Sequence, residues 1–347
     1  MATLAAQNLT LADILRSYPE RRGEYGVIEL LSISNPLYAD LQWIQGTGTT
    51  EHSAWVRNSI PTPEYGTLGK GTTTDKSTLT EVKENMAYLD GMTKIPEKTL
   101  SLAADPSQVM FDQAFGWYEG FAQKWESDFF YGNNITNPQG IKGLANRYNS
   151  ISTTGIKDNV ISAGGSGSDN ASIWIINHGP QGIQGIYPKG QTPGCKTDIS
   201  PSATEVDDGT GKLMKARIAR FEQWVGLTVG DYRNSVRIAN IDVSDLAGGS
   251  AADLLKFIAK GMRAIPIPPV GFGPAKSLGH KEQLTGMGRK TVIYMNRTVY
   301  GALEDQANAK TVNGLLLGQA DGTDYLTYRG VPIKVCDSLL STESAVS

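Results

Sequence analysis

One stretch of the chain, residues 105–132, carries the pattern of a single long helix. Asp105 is a good N-cap, Pro106 fits the first helical position, and Gly132 ends the pattern. At about 1.5 Å per residue such a helix is a rod of roughly 39 Å, which is long for one domain. Its apolar residues recur at three- and four-residue steps and predict a core face rather than a ligand site. They are Val109, Met110, Ala114, Phe115, Tyr118, Phe121, Ala122, Trp125 and Phe129.

Weaker helix and strand signals lie further along the chain. A second helix is predicted over Ala251–Met262, with Ser250 as its N-cap and Asp253 completing a capping box. A third helix is predicted over Thr298–Ala307, soon after the strand-like run Val292–Met295.

Residues 42–89 form a different kind of segment, upstream of the long helix. Two strand-like arms, Thr49–Ile60 and Thr72–Leu89, are joined by a stretch rich in proline and glycine. Neither arm is apolar enough near the tip to build a core, and an isolated two-stranded ribbon is marginal in water. The ribbon therefore needs a surface to lie on, and another copy of the chain could supply it. The first 40 residues offer one short helical stretch, Leu9–Ser17, and an extended linker, which also suggests interlocking subunits.

Composition excludes several classes of function. The formal net charge is −3, with 32 basic and 35 acidic residues, which argues against sequence-specific DNA binding. No apolar run approaches the roughly 18 residues of a membrane span, and the first residues lack the pattern of a secretory signal. Cys195 and Cys336 lie far apart in sequence, which predicts buried free thiols rather than a disulfide or a metal site.

The glycine-rich segment Gly164–Asn170 resembles a phosphate-binding loop at first sight. A Walker loop requires a lysine before its final hydroxyl residue, and the best match in the chain, residues 185–192, has Gln191 at that position. The segment also leads into the strand-like run Ala171–Ile176 rather than into a helix. It is therefore predicted to be a connection with no ligand.

Catalytic and metal-binding patterns are equally weak. The three histidines, His52, His178 and His280, have no second ligand at metal-site spacing and are predicted to be surface or turn residues. No nucleophile elbow appears, and the Asp207-Asp208 pair lies in a predicted hairpin turn. The sequence therefore predicts no catalytic residue, no cofactor and no metal, and the chain is not expected to be an enzyme.

Short motifs after the long helix and near the end of the chain carry a family resemblance. The helix ends in "Phe-Phe-Tyr-Gly-Asn", residues 137–144 read "Asn-Pro-Gln-Gly-Ile-Lys-Gly-Leu", and residues 328–340 contain a "Gly-Val-Pro-Ile" strand. Together with the arm, the hairpin and the long helix, they resemble the major capsid proteins of tailed, podovirus-like bacteriophages. The resemblance covers nearly the whole chain, although Arg297 stands where the family's turn often carries proline.

This resemblance implies the Hong Kong 97-type capsid fold, an α+β architecture. Its parts would be an N-terminal arm, an extended β-hairpin loop that lies over a neighbouring subunit, a peripheral domain with a long spine helix, and an axial domain. The implied boundaries are 1–41 for the arm, 42–89 for the loop, 90–154 for the peripheral domain with the spine helix at 106–131, 155–290 for the axial domain, and 291–347 for returning strands and a helix.

The implied function is self-assembly into an icosahedral shell around the double-stranded DNA genome of a phage. Expected partners are further copies in pentamers and hexamers, a scaffolding protein, a portal, and packaged DNA held non-specifically, but no membrane. The protein would belong to the virion and would assemble in the host bacterial cytoplasm. Some relatives crosslink a loop lysine, and Lys70 lies near the hairpin tip. The candidates for subunit contact are Trp55, Arg57, Tyr65, Lys70, Trp117 and Trp125.

Two alternatives stay open on the sequence. An encapsulin-like compartment would share the fold and would enclose enzyme cargo instead of DNA. A monomeric hydrolase or carbohydrate-active protein would need a catalytic constellation, for which the residues give no signal.

Overall fold

The computed structural model describes residues 36–57, 59–103, 105–151, 159–179, 182–207, 211–248, 252–265, 290–309, 315–320 and 323–347. Within them the chain forms two compact units. The first, called the spine unit here, contains Tyr88–Glu126 and Pro193–Val225. The second, called the sheet unit, contains Pro36–Ala87, Ser127–Thr192 and Gly226–Ser347.

The described elements are a mixture of helices and strands, in agreement with the α+β fold that the resemblance implies. The helices are α1 (Leu37–Asp40), α2 (Glu97–Leu100), α3 (Pro106–Tyr131), α4 (Leu254–Ala264) and α5 (Arg297–Ala309). The strands are β1 (Trp43–Gln45), β2 (Glu51–Arg57), β3 (Leu79–Pro96), β4 (Val160–Ser162), β5 (Asn170–His178), β6 (Ile183–Tyr187), β7 (Cys195–Ile199), β8 (Thr204–Asp207), β9 (Leu213–Val229), β10 (Ser235–Asp242), β11 (Lys290–Met295), β12 (Leu315–Ala320), β13 (Thr323–Tyr328) and β14 (Val331–Val335).

Strand β5 is the centre of the sheet unit. All nine of its residues are buried, and it pairs antiparallel with β10 on one side and with β11 on the other. Strand β11 continues the sheet through parallel pairing with β14, and β14 pairs with β13 and β13 with β12. A β-branched run such as Ile173–Ile176 suits a strand that is covered on both faces. The Gly164–Asn170 segment leads directly into β5.

Helices α4 and α5 cover one face of this sheet and share its hydrophobic core. Gly261 of α4 lies so close to the sheet that a Cβ atom there would be 2.8 Å from Ile175 Cδ1. The N-cap of α4 is Asp253, whose carboxylate accepts a hydrogen bond from the Lys256 amide. The predicted Ser250 cap is therefore corrected to Asp253, and Ser250 itself lies outside the described residues.

The spine unit is built on the first part of helix α3, together with β3, β7, β8 and β9. The N-terminus of α3 is capped as predicted, because Asp105 Oδ1 accepts hydrogen bonds from the amides of Ser107 and Gln108 at 3.0 and 3.3 Å. The core between helix and strands is small and apolar. Its buried members are Ile95, Leu100, Val109, Met110, Ala114, Phe121, Ala219 and Phe221.

The apolar stripe of α3 differs from the prediction in one respect. Phe115 and Tyr118 were assigned to the core face, yet they are 51% and 40% exposed, and the neighbouring Phe111 is 64% exposed. The stripe is wider than the surface that the strands of the same unit cover. Periodicity predicts which residues share a helix face, but it does not predict how much of that face is covered.

His178 also differs from its predicted surface or turn position. It is the last residue of β5 and is 2% exposed, with its Nε2 atom 2.9 Å from the Tyr294 hydroxyl. A hydrogen-bond partner on the adjacent strand β11 makes this burial possible. His52 is half-buried in β2, and His280 lies outside the described residues.

Both cysteines are free thiols, and Cys336 is buried whereas Cys195 is half-buried. Within the described residues, no helix has the length and apolar character needed to cross a membrane.

Candidate subunit interface

The most exposed element among the described residues is a long hairpin, called the extended loop here. Strands β2 and β3 pair antiparallel from Glu51 opposite Asn85 to Arg57 opposite Leu79. Beyond this ladder, the described residues 59–78 form a tip without strand pairing, and almost every side chain there is exposed. The tip therefore has no hydrophobic core of its own.

Polar side chains hold the two arms of the tip together. The Thr62 amide donates to Asp75 Oδ2 at 3.0 Å, and the Thr73 hydroxyl donates to Glu64 Oε2 at 3.0 Å. Nearer the ladder, the hydroxyls of Ser59 and Thr78 lie 2.8 Å apart. The acidic side chains of the tip, Glu64 and Asp75, therefore accept hydrogen bonds from residues of the same loop.

Large apolar side chains of the loop face solvent in the single chain. Trp55 is 67% exposed, and Tyr65 and Leu68 are fully exposed. Ile60 and Leu79 are also exposed. Exposed apolar groups concentrated on one projecting element are typical of a surface that another protein covers.

A buried ion pair fixes the base of the loop. The Arg147 guanidinium donates to both carboxylate oxygens of Glu84 on β3, at 2.5 and 2.7 Å, and both side chains are less than one tenth exposed. Arg147 also donates to the Lys142 carbonyl and to the Tyr232 hydroxyl. Burial by itself would lower the pKa of Arg147, but the bonds to Glu84 outweigh it and hold the pKa above its usual value.

His52 lies opposite Glu84 in the ladder of the loop. Burial lowers the pKa of His52, and the negative charge of Glu84 opposes that shift. The base of the loop thus contains an imidazole with a lowered pKa beside a carboxylate that is paired with Arg147.

A second buried ion pair fixes the end of the chain. Arg237 on β10 donates to Glu343 Oε2 at 2.8 Å and lies 5.3 Å from the centre of the Trp174 ring. The hydroxyls of Tyr131 and Ser172 donate to the same carboxylate. Burial, the first cause, and the charge of Glu343 raise the pKa of Tyr131, so its phenol stays protonated.

A third buried group gathers around Asp40. Lys290 and Lys334 both donate to Asp40 Oδ1, the latter at 2.7 Å, and the Tyr294 hydroxyl donates to Oδ2 at 2.8 Å. Burial raises the pKa of Asp40, but these three bonds outweigh it, so the pKa is lowered. Burial lowers the pKa of His178 to about 4; Asp40 opposes this shift and the two lysines add to it.

The structure places the predicted contact residues in different environments. Trp55, Tyr65 and Lys70 are exposed on the extended loop, and the side chain of Arg57 lies outside the described part of the structure. Trp117 is half-buried, because its indole N–H donates to Thr93 and its ring stacks on Phe221 at 5.8 Å.

Trp125 requires a correction. Its side chain is completely buried within its own chain and is therefore part of the core rather than a contact surface. Its place in the three- and four-residue apolar pattern of α3 is explained by this position in the core.

Several residues of structural importance carry no signal in the sequence. Glu84 and Arg147 are 63 positions apart, and Arg237 and Glu343 are 106 apart, so no local pattern joins them. The exposed Phe111 was not singled out, although it precedes Phe115 by one helical turn.

Solved structures of phage capsids share this fold. The chain aligns with a bacteriophage Epsilon15 structure at 27% identity and a TM-score of 0.71, over 100% of this chain and 99% of that one. It aligns with a bacteriophage JBD30 capsid structure at 9% identity and a TM-score of 0.53, over 93% and 97%. An encapsulin structure from Synechococcus elongatus aligns at 10% identity and a TM-score of 0.45, over 64% and 93%. Among curated proteins, none matches the chain.

The fold, with its long helix, central sheet and projecting loop, is that of a tailed-phage capsid protein of the Hong Kong 97 type. The sequence profile of the family Major capsid protein GP7 matches residues 20–347, and the chain belongs to that family. Its function is therefore that of a capsid shell protein, a component of the virion that assembles with further copies of itself. The predicted family and fold are confirmed, and a capsid shell is favoured over an encapsulin compartment or a hydrolase.

Proposed function

We propose that the shell encloses a double-stranded DNA genome and is built of pentamers and hexamers in which the extended loop of each subunit lies over its neighbour. The observation that carries this proposal is the loop itself. Its tip has no core, while Ile60, Tyr65 and Leu68 are more than three-quarters exposed. An element of this kind gains stability when another copy covers it.

The proposed role is structural, without catalysis. The net charge of −3 fits a wall that surrounds DNA without binding it tightly, because tight binding to phosphates requires clustered basic residues. A separate scaffolding protein and a portal would complete assembly, which would take place in the host bacterial cytoplasm.

The proposed domain boundaries are those expected from the family. Residues 42–89 would serve as the extended loop, 90–154 as the peripheral domain, 155–290 as the axial domain, and 291–347 as the closing elements, with residues 1–41 as an arm. The bounds of α3, Pro106–Tyr131, support the position of the spine helix in this scheme.

Removal of the loop tip tests the proposal. Residues 60–77 are replaced by a short Gly-Ser linker, and wild-type and truncated chains are compared by negative-stain electron microscopy and size-exclusion chromatography. We expect shells or rings of five and six from the wild type and single subunits from the truncated chain. The free energy of unfolding should change by less than about 0.5 kcal/mol, because the tip contributes nothing to a core.

Two results would contradict the proposal. One is a truncated chain that forms the same particles as the wild type. The other is a wild type that stays monomeric even when it is expressed with the neighbouring genes of its genome.

A further inference from the structure

Strand β7 (Cys195–Ile199) is an open edge of the sheet in the spine unit. It pairs antiparallel with β9, and among the described residues it pairs with no other strand. Lys196, Asp198 and Ile199 of this strand are exposed. An open edge presents unpaired backbone amides and carbonyls, which can pair with a strand of another protein.

The hydrogen bonds to β9 fix which backbone groups of β7 point outward. Directly after β7, the Ser200 amide donates to the Ile218 carbonyl at 2.9 Å, in the register of the β7–β9 pair. The backbone groups of successive residues point to opposite sides of a strand, so those of Lys196 and Asp198 also point toward β9. The amides and carbonyls of the three other residues of β7 therefore point away from β9 and are available to a further strand.

The side chains of β7 alternate between the two faces of the sheet. Thr197 lies on the side of α3, because its hydroxyl is 2.6 Å from the Tyr118 hydroxyl. Lys196 and Asp198 therefore lie on the opposite face, where both are exposed. One residue separates a positive charge from a negative charge on this face of the edge.

We propose that β7 of one copy pairs antiparallel with β7 of a second copy, about a two-fold axis beside Thr197. In this register the outward amide and carbonyl of Thr197 bond to those of Thr197 in the second copy. Those of Cys195 bond to Ile199 of the second copy, and the reverse pair forms by symmetry. Every outward backbone group of the strand then has a partner.

The same register pairs opposite charges across the axis. Lys196 lies directly opposite Asp198 of the second copy, on the same face of the joined sheet. Within each chain, Lys196 lies opposite Glu222 of β9 and Asp198 lies opposite Arg220. The joined strands therefore carry a row of alternating charge, which is favourable for cross-strand neighbours. A register shifted by two residues would place like charges opposite each other.

Strand β8 is a second open edge without this complementarity. It also pairs with β9, and among the described residues with no other strand. An equivalent pairing about Val206 would place Glu205 opposite Asp207 of the second copy. Like charges directly opposite each other are destabilising. The self-complementary pattern therefore belongs to β7 and not to every open edge of this unit.

A β7–β7 contact is isologous, because both copies use the same surface. In a closed shell an isologous contact lies on a two-fold axis and joins two copies without extending further. The inference rests on the proposed function, in which pentamers and hexamers form the shell, and it names a surface that joins one ring to the next. Strand β7 and the extended loop are separate surfaces, so their contributions to assembly can be tested separately.

Two charge reversals test the pairing. Lys196→Asp places acidic residues opposite each other across the axis, and Asp198→Lys places lysines there. We expect each variant alone to form rings of five and six but to lower the yield of closed shells at least about tenfold, because many such contacts act together in one shell. Sedimentation and negative-stain electron microscopy measure both species.

A mixture of the two variants is the decisive measurement. In a mixed contact, each introduced residue meets a residue of opposite charge in the second copy, while the repulsion introduced within each chain is unchanged. Mixing should therefore raise the yield of closed shells at least about tenfold above that of either variant alone. No gain on mixing would overturn the inference, and so would closed shells from either variant at the wild-type yield.

Glu205→Lys on β8 is the matched control. It introduces a like-charge pair with Lys215 on β9, as Lys196→Asp does with Glu222, at an edge that the inference leaves unpaired. Its yield of closed shells should equal that of the wild type. A loss as large as that of Lys196→Asp would contradict the inference, because repulsion within the chain would then explain both results.

A single cysteine tests the register. Thr197→Cys is introduced into a chain that carries Cys195→Ser, and closed shells are run on a non-reducing denaturing gel. We expect covalent dimers that disappear on reduction, because the two Cα atoms at position 197 would be roughly 5.5 Å apart, within reach of a disulfide. Thr204→Cys on β8 is the control and should stay monomeric on the gel.

The outcomes separate the inference from the proposed function. Shells that form without dimers from position 197 would overturn the inference and leave the proposed function intact. A wild type that forms neither rings nor shells would contradict the proposed function and the inference with it.

Discussion

Strand β5 and the tip of the extended loop are opposite extremes within one chain. Every residue of β5 is buried, and Trp174 and Ile175 are completely shielded from solvent. Residues 59–78 are nearly all exposed, and polar bonds alone join the two arms of the tip. The first region completes its contacts within its own chain, whereas the second presents apolar groups that its own chain does not cover.

The difference separates two tasks of a shell protein. The central sheet around β5 must be stable in the single subunit, so its large side chains are buried. In the proposed shell the loop meets another copy, which agrees with the exposure of its side chains in the single chain. Substitutions in the sheet should therefore change folding, and substitutions in the tip should change assembly.

The largest expected effect comes from the centre of the sheet. Trp174→Ala removes the ring that contacts Phe130, Tyr148 and Arg237, and should lower the free energy of unfolding by about 4 kcal/mol. Leu68→Ala at the loop tip is the matched control, with an expected change below about 0.5 kcal/mol. Urea denaturation of the single subunits measures both, and equal losses would show that the two regions do not differ as described.

A somewhat smaller effect is expected at the base of the loop. Arg147→Met leaves Glu84 buried without its partner and should cost about 3 kcal/mol, because an unpaired buried charge is strongly unfavourable. The double variant Glu84→Gln with Arg147→Met should recover part of the loss. Chemical denaturation of the two single variants and the double variant gives the coupling energy. Additive losses would mean that the two side chains act independently.

The smallest of the three effects is a pH dependence within the sheet unit. The pKa of His178 is lowered to about 4, so between pH 6.5 and 4 the unfolded chain binds a proton that the folded chain does not. Stability should therefore fall on acidification, by about 2 kcal/mol between pH 7.5 and pH 5. His52, whose pKa is also lowered, adds a shift of the same sign.

His178→Gln isolates this contribution, since glutamine keeps a donor for Tyr294 but does not titrate. Thermal melts of both chains across this pH range should show a flatter dependence in the variant. Parallel pH profiles for the two chains would exclude His178 as the source.

The sequence predicted the elements that local signals define. Helix α3 was predicted at its observed bounds because Asp105 caps one end and Gly132 ends the other, where a Cβ atom would be 2.4 Å from the Asp128 carbonyl oxygen. Strand β5 and helix α5 were predicted within a few residues for similar reasons. Ser250 was a wrong cap because Asp253, three residues on, supplied the same chemistry.

The long-range ion pairs within the subunit could not be predicted in this way. The Glu84–Arg147 and Arg237–Glu343 pairs join segments that are distant in sequence, and no spacing rule connects them. The burial of His178 depends on the hydroxyl of Tyr294, which lies on the neighbouring strand β11 and 116 positions further along the chain. The burial of Trp125 could not be predicted either, because the same helical stripe contains both buried and exposed residues.

The sequence by itself determined the α+β class, the long helix, the projecting loop and, through its motifs, the capsid family. The long helix and the loop follow from capping residues, periodicity and turn chemistry, which act over a few neighbouring residues, whereas the fold class and the family follow from the resemblance of the motifs to known capsid proteins. The tertiary structure alone decided which aromatic residues of α3 are covered and which charges are buried as pairs. It also decided which histidines have a lowered pKa. Burial and pairing depend on what lies across from a side chain in space, and that is set by packing between segments far apart in the chain.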